Sequence, residues 1–125
     1  MSYILYVEDN ASNALVVQRI CEHLKLDLRI VSNATDAVAT VLQAPPRLVL
    51  MDISLPDVDG LAAARLIRSL PELPTRLPII AITASAMVGD RERCLAAGCD
   101  DYLAKPFTVR ALVEMLQRYL LCQES

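Results

Sequence analysis

Five short apolar runs punctuate the chain: Tyr3–Val7, Leu26–Val31, Leu48–Met51, Pro78–Ile82 and Tyr102–Ala104. Each has the length of a strand, and the stretches between them have helical length and period. The order is strand then helix, five times over. In the first helical stretch Val16, Val17, Ile20 and Leu24 are expected to share one buried face, with Gln18, Arg19 and Glu22 elsewhere. The last stretch repeats this with Leu112, Met115, Leu116 and Tyr119. Asp9 or Asn10 is placed to cap the first helix, Asp59 the third and Thr108 the fifth. Apolar strands alternating with helices imply a parallel sheet covered on both faces. Right-handed crossovers leave few topologies, and the common order for five strands is 2-1-3-4-5. The expected fold class is therefore α/β, a doubly wound (βα)5 five-stranded parallel sheet.

Composition narrows the function. At 125 residues the chain reads as a single domain over 1–125, with no linker or internal repeat, and Ala44-Pro45-Pro46 and the stretch from Pro71 to Pro78 read as loops. Hydrophobic residues make up 54% of it, too many for a disordered chain. No uncharged apolar stretch nears the roughly 20 residues of a membrane span. The opening MSYILYVEDN lacks a basic leader segment, so a soluble, cytoplasmic protein without membrane insertion is expected. Twelve basic residues against fifteen acidic ones, with no basic block, argue against direct nucleic-acid contact. Cys21, Cys94, Cys99 and Cys122 form no CxxC pair, and with His23 as the only histidine a zinc site is not expected. Three glycines, Gly60, Gly89 and Gly98, cannot build a GxxxxGK or GxGxxG loop, and one histidine offers no persuasive hydrolytic triad.

The ends of the apolar runs carry the chemistry. Glu8 and Asp9 follow YILYV, Asp52 follows RLVLM, and Lys105 follows DDYLA. In a parallel sheet these positions meet at the carboxyl edge, where open α/β folds place their ligands, and the order 2-1-3-4-5 sets Glu8 and Asp9 beside Asp52. Three clustered carboxylates repel one another unless a cation sits among them. All-oxygen ligands favour magnesium or calcium, and a water-rich shell shared with phosphate suits magnesium. Lys105 supplies a point charge for a phosphoryl oxygen, and Thr83 at the end of IIAIT supplies a hydroxyl. Asp52 is then a nucleophile toward phosphorus, with Glu8 and Asp9 as metal holders. Each residue has a plainer reading: Glu8-Asp9 as a helix start, Asp52 as a turn cap, Lys105 as a solvated charge, Thr83 as a β-branched strand residue. It is their shared strand-end register that makes the set specific. Asp57, Asp59 and Gly60 read as the turn into the third helix rather than as ligands.

The segments VEDN, LMDISLPDVDG, IIAITASA and AGCDDYLAKPF resemble the signatures of response-regulator receiver domains, across essentially the whole chain. Asn10, Asn13 and GDRERCLAAG resemble most closely the receivers of hybrid histidine kinases and stand-alone regulators of the DivK type. The resemblance implies a flavodoxin-like, CheY-like fold and a switch in two-component phosphorelay signalling rather than a conventional enzyme. Such a switch catalyses its own aspartyl phosphorylation and dephosphorylation. Asp52 would accept phosphate from the phosphohistidine of a kinase or phosphotransfer protein. Magnesium would be held by Asp9, Asp52 and the Ser54 carbonyl, with Glu8 acting through water. Thr83 and Lys105 would bind phosphoryl oxygens, the amides of Ile53 and Ala84 would complete the cradle, and Ser54 and Ser85 would tune phosphate lifetime. Lys105-Pro106 resembles the family's cis peptide. Thr83 and Tyr102 would switch the surface of helix four, strand five and helix five toward a downstream protein partner.

Departures from the family pattern are local: Lys25 where many relatives carry glycine after the first helix, Ala34 at a position often glycine, and Arg47 for an acidic residue. Ala11, Ala14, Leu15 and Pro106 form a candidate docking patch for a partner helix. The expected molecule is a receiver with no output domain, monomeric or weakly dimeric, either a stand-alone regulator, the favoured reading, or a receiver excised from a hybrid kinase. The competing functions are a pseudo-receiver that docks partners regardless of phosphate, and a flavin binder. The second needs a phosphate loop and aromatics that this chain, with one Phe and no Trp, does not have.

Overall fold

The protein is described by a computed structural model covering residues 3–53, 60–71, 77–83, 89–105 and 107–124. Its elements alternate as β1 (Ile4–Val7), α1 (Ala11–His23), β2 (Leu28–Val31), α2 (Ala34–Gln43), β3 (Leu48–Asp52), α3 (Gly60–Arg68), β4 (Ile79–Thr83), α4 (Asp90–Ala96), β5 (Asp101–Ala104) and α5 (Val109–Glu124). All strand pairs are parallel and the sheet runs β2-β1-β3-β4-β5. The expected fold class and order are both present. No described helix is long and apolar enough to cross a membrane.

Side chains alternate across the central strands, because successive residues of a strand face opposite sides. Leu5, Val7, Val49, Met51, Ile79 and Ala81 pack with α2, α3 and α4 on one face. Ile4, Tyr6, Leu48, Leu50, Ile80 and Ile82 pack with α1 and α5 on the other. Burial on both faces explains why these strands read as continuous apolar runs. Cys21, Cys94 and Cys99 are buried free thiols, and burial pushes Cys21 up to about 11 and Cys99 up to about 12, a setting for inert sulfur.

α1 starts at Asn10, whose side chain accepts from the Ser12 and Asn13 amides at 2.9 and 3.1 Å. Asp9 is thereby not the cap. The buried stripe of α1 is Ala14, Val17, Ile20 and Cys21, with Leu24 half-buried, whereas Val16 is 49% exposed. Val16 was expected on the buried face; one residue from Val17 it is turned about 100° around the axis and meets solvent. Thr108 caps α5 as expected, its hydroxyl accepting from the Ala111 amide at 3.0 Å. Asp59, expected to cap the third helix, lies outside the described residues.

α1 ends in two reversed bonds, Lys25 N–H to Glu22 O at 3.1 Å and Leu26 N–H to Cys21 O at 2.8 Å. This is the Schellman pattern, which needs a left-handed residue at its turn. Lys25 occupies it at φ 60°. The turn forms despite the missing glycine, at a cost of roughly 1–2 kcal/mol. α4 ends the same way, with Cys99 N–H to Cys94 O at 3.1 Å, but there Gly98 takes the turn at φ 105°.

Candidate functional site

β1 and β3 are neighbours, with Val7 opposite Met51, so the residues that follow them emerge side by side. Glu8 and Asp52 are each 3% exposed, and Asp9 is open to solvent. One carboxylate oxygen from each of Glu8, Asp9 and Asp52 lies within 4.8 Å of the others. Lys105 enters from the end of β5, its amide anchored to the Thr83 carbonyl at 2.7 Å. Its Nζ donates to Glu8 Oε1 at 2.8 Å and to Asp52 Oδ2 at 3.3 Å. Thr83, 1% exposed, closes β4 at the same edge of the sheet. Glu8, Asp9, Asp52 and Lys105 thus come together, with Thr83 at the same edge.

Charge is unevenly distributed in this cluster, three carboxylates to one ammonium. Burial on its own would raise the Glu8 carboxyl. The bonds from Lys105 and Tyr6 oppose it, and the group is held well below the usual carboxylate range. Burial likewise works against charge on Lys105, but Glu8 and Asp52 more than compensate and raise it. Glu8 as carboxylate and Lys105 as ammonium are thus the forms at neutral pH. An all-oxygen set of closely spaced carboxylates, partly open through Asp9, matches the donor preference of a small hard divalent cation.

Two contributors were missed in the sequence. Tyr6, fully buried, donates its hydroxyl to Glu8 Oε1 at 2.8 Å. The available signal was a hydroxylated ring inside an apolar run, two residues before Glu8 and so on its face. Gly60, read only as turn, begins α3 packed against β3. A Cβ there would stand 2.4 Å from Ile53 Cα and 2.5 Å from the Asp52 carbonyl oxygen. Glycine allows the helix to approach the backbone that carries Asp52.

Other expectations divide. The Ile53 amide, expected to cradle phosphoryl oxygens, instead donates to Ile82 O at 3.1 Å, continuing the β3–β4 ladder. Tyr102 is half-buried against the α2–α4 side of the core. Ala14 is 8% exposed and drops out of the docking patch, whereas Leu15 is 48% exposed. Ser54, Ala84, Ser85 and Pro106 lie outside the described residues, as do Asp57 and the side chain of Ala11.

Comparison with known proteins agrees with this geometry. The family model of the response regulator receiver domain matches residues 4–117. The signal transduction histidine-protein kinase BarA of Escherichia coli K12 is 39% identical over 116 residues, 93% of this chain but 12% of that protein. The chain thus spans about an eighth of that kinase's length. Among solved structures, the receiver domain of sensor histidine kinase PA1611 from Pseudomonas aeruginosa PAO1 is 43% identical with a TM-score of 0.85. The match covers 94% of this chain and 96% of that one, and that receiver has magnesium coordinated in its active-site cleft. The receiver of Saccharomyces cerevisiae Ssk1, solved with the histidine phosphotransfer protein Ypd1, is 28% identical at a TM-score of 0.87, covering 98% of this chain and 90% of that one.

Proposed function

The chain belongs to the response regulator receiver domain family of two-component phosphorelay signalling, and from that membership we propose that Asp52 is its phosphoacceptor. Receiver domains are signalling switches rather than conventional enzymes. The observation that carries the proposal is the buried Asp52 carboxylate, placed 3.3 Å from Lys105 Nζ and clustered with Glu8 and Asp9 at the mouth of the sheet. An Asp52 oxygen attacks the phosphorus of a phosphohistidine, the P–N bond breaks, and imidazole leaves with a proton taken from solvent. The product is an aspartyl phosphate.

Glu8, Asp9 and Asp52 are the residues that would hold magnesium, which when bound offsets negative charge on the transferring oxygens. Lys105, anchored by its own amide, bridges Glu8 and Asp52 and is poised to follow a phosphoryl oxygen on Asp52. Thr83 offers its hydroxyl from the end of the next strand. Later attack of water on phosphorus releases inorganic phosphate and restores Asp52. The donor we infer is a histidine kinase or histidine phosphotransfer protein, as the Ssk1 receiver is partnered by Ypd1. The exposed Leu15 and Val16 near the start of α1 suit such docking, and output runs through Tyr102 and the surface of α4, β5 and α5.

Intact-mass measurement after incubation with acetyl phosphate tests the assignment. A magnesium-dependent gain of one phosphoryl group, lost in Asp52→Ala, is the expected result. No gain in folded wild-type protein would overturn it and favour phosphate-independent docking.

A further inference from the structure

We propose that Tyr6 is a positioning residue for the cation site: with Lys105 it pins Oε1 of Glu8, so that Oε2 is presented as the oxygen serving the cation or its water. This rests on the reading of Glu8, Asp9 and Asp52 as a magnesium site.

Tyr6 sits mid-strand among Ile4, Leu5 and Val7, all fully buried. Packing alone asks for Phe there, because a buried hydroxyl is costly unless it is bonded. This hydroxyl has its bond, 2.8 Å to Glu8 Oε1. Lys105 Nζ donates to the same oxygen at 2.8 Å, so Oε1 carries two short bonds. Oε2 receives a long contact from the Asn10 amide at 3.5 Å. Two donors, one within β1 and one just past the end of β5, fix both the position and the rotation of the carboxylate. Without the hydroxyl, Oε1 keeps Lys105 but loses the donor built into β1 itself, and the carboxylate is held less firmly in rotation. Partners that orient ligand side chains commonly set metal affinity by 10- to 100-fold, roughly.

The test is calorimetric titration of magnesium into wild type, Tyr6→Phe, Glu8→Gln and the double variant, with melting temperatures recorded without metal. Tyr3→Phe is the control. It also removes a buried-ring hydroxyl, but one bonded to the Ala44 carbonyl. We expect Tyr6→Phe to stay folded and weaken magnesium binding about tenfold. In the Glu8→Gln background the same change should have less than about a twofold effect, because coupled residues are not additive. Tyr3→Phe should leave affinity unchanged. Wild-type affinity retained in Tyr6→Phe, or an equal loss in both backgrounds, would overturn the role of Tyr6 while leaving the magnesium site standing. Failure of wild type itself to bind magnesium would overturn the site and the proposal together.

Discussion

At the carboxyl ends of the strands, Glu8 and Asp52 share Lys105 with Asp9 clustered beside them; at the amino ends, Arg68 pairs with Asp100. Arg68, at the end of α3, places all three of its guanidinium nitrogens. Nε donates to Gly98 O at 3.0 Å, Nη1 to Leu77 O at 2.7 Å and Nη2 to Asp100 Oδ2 at 2.7 Å. The same Asp100 oxygen accepts the Ile79 amide at 2.8 Å. That arrangement ties α3, β4 and the entry to β5 together, setting a guanidinium against a carboxylate with each guanidinium nitrogen bonded. The acid cluster has similar burial and short bonds but a surplus of negative charge. Balanced networks hold a fold; an unbalanced one at a ligand-binding edge is kept at a stability cost for what it binds.

Arg68→Ala should separate the two ends most sharply. It removes a counter-ion of Asp100 and the donor to two carbonyls, and should cost about 3 kcal/mol in urea unfolding. Magnesium affinity of the folded fraction should be unchanged. Asp9→Asn is the complement, with stability little altered and magnesium binding weakened, read in the same titrations. Gly60→Ala forces a Cβ into the backbone of Asp52 and Ile53. It should cost about 2 kcal/mol through overpacking and also slow phosphoryl gain, because the strain falls on the residue bearing the acceptor. Smallest is Lys25→Gly, remote from both clusters. It relieves the left-handed turn and should raise stability by about 1 kcal/mol with phosphorylation unaffected.

Much of this was legible in the sequence, for identifiable reasons. Strands buried on both faces leave unbroken apolar runs, so β3 and β4 were found to within a residue. The acid–lysine set was legible because every member sits at a strand end, a register that parallel order converts into proximity. Val16 was misplaced because neighbouring valines on a helix look alike until packing selects one face. The Ile53 amide was claimed for a ligand although the ladder to β4 extends one residue beyond Asp52 and uses it. Tyr6 was read as an ordinary strand residue, since nothing local shows that its ring delivers a hydroxyl to Glu8. Gly60 has the same character: a glycine at a helix start is common, and only the approach of α3 to β3 explains it.

The most direct test of the central claim is residue-level mapping of the phosphoryl group after transfer from a phosphorylated histidine phosphotransfer protein in the presence of magnesium. The account predicts modification at Asp52 alone, abolished when magnesium is chelated. Modification elsewhere, or transfer that proceeds equally without a divalent cation, would contradict it.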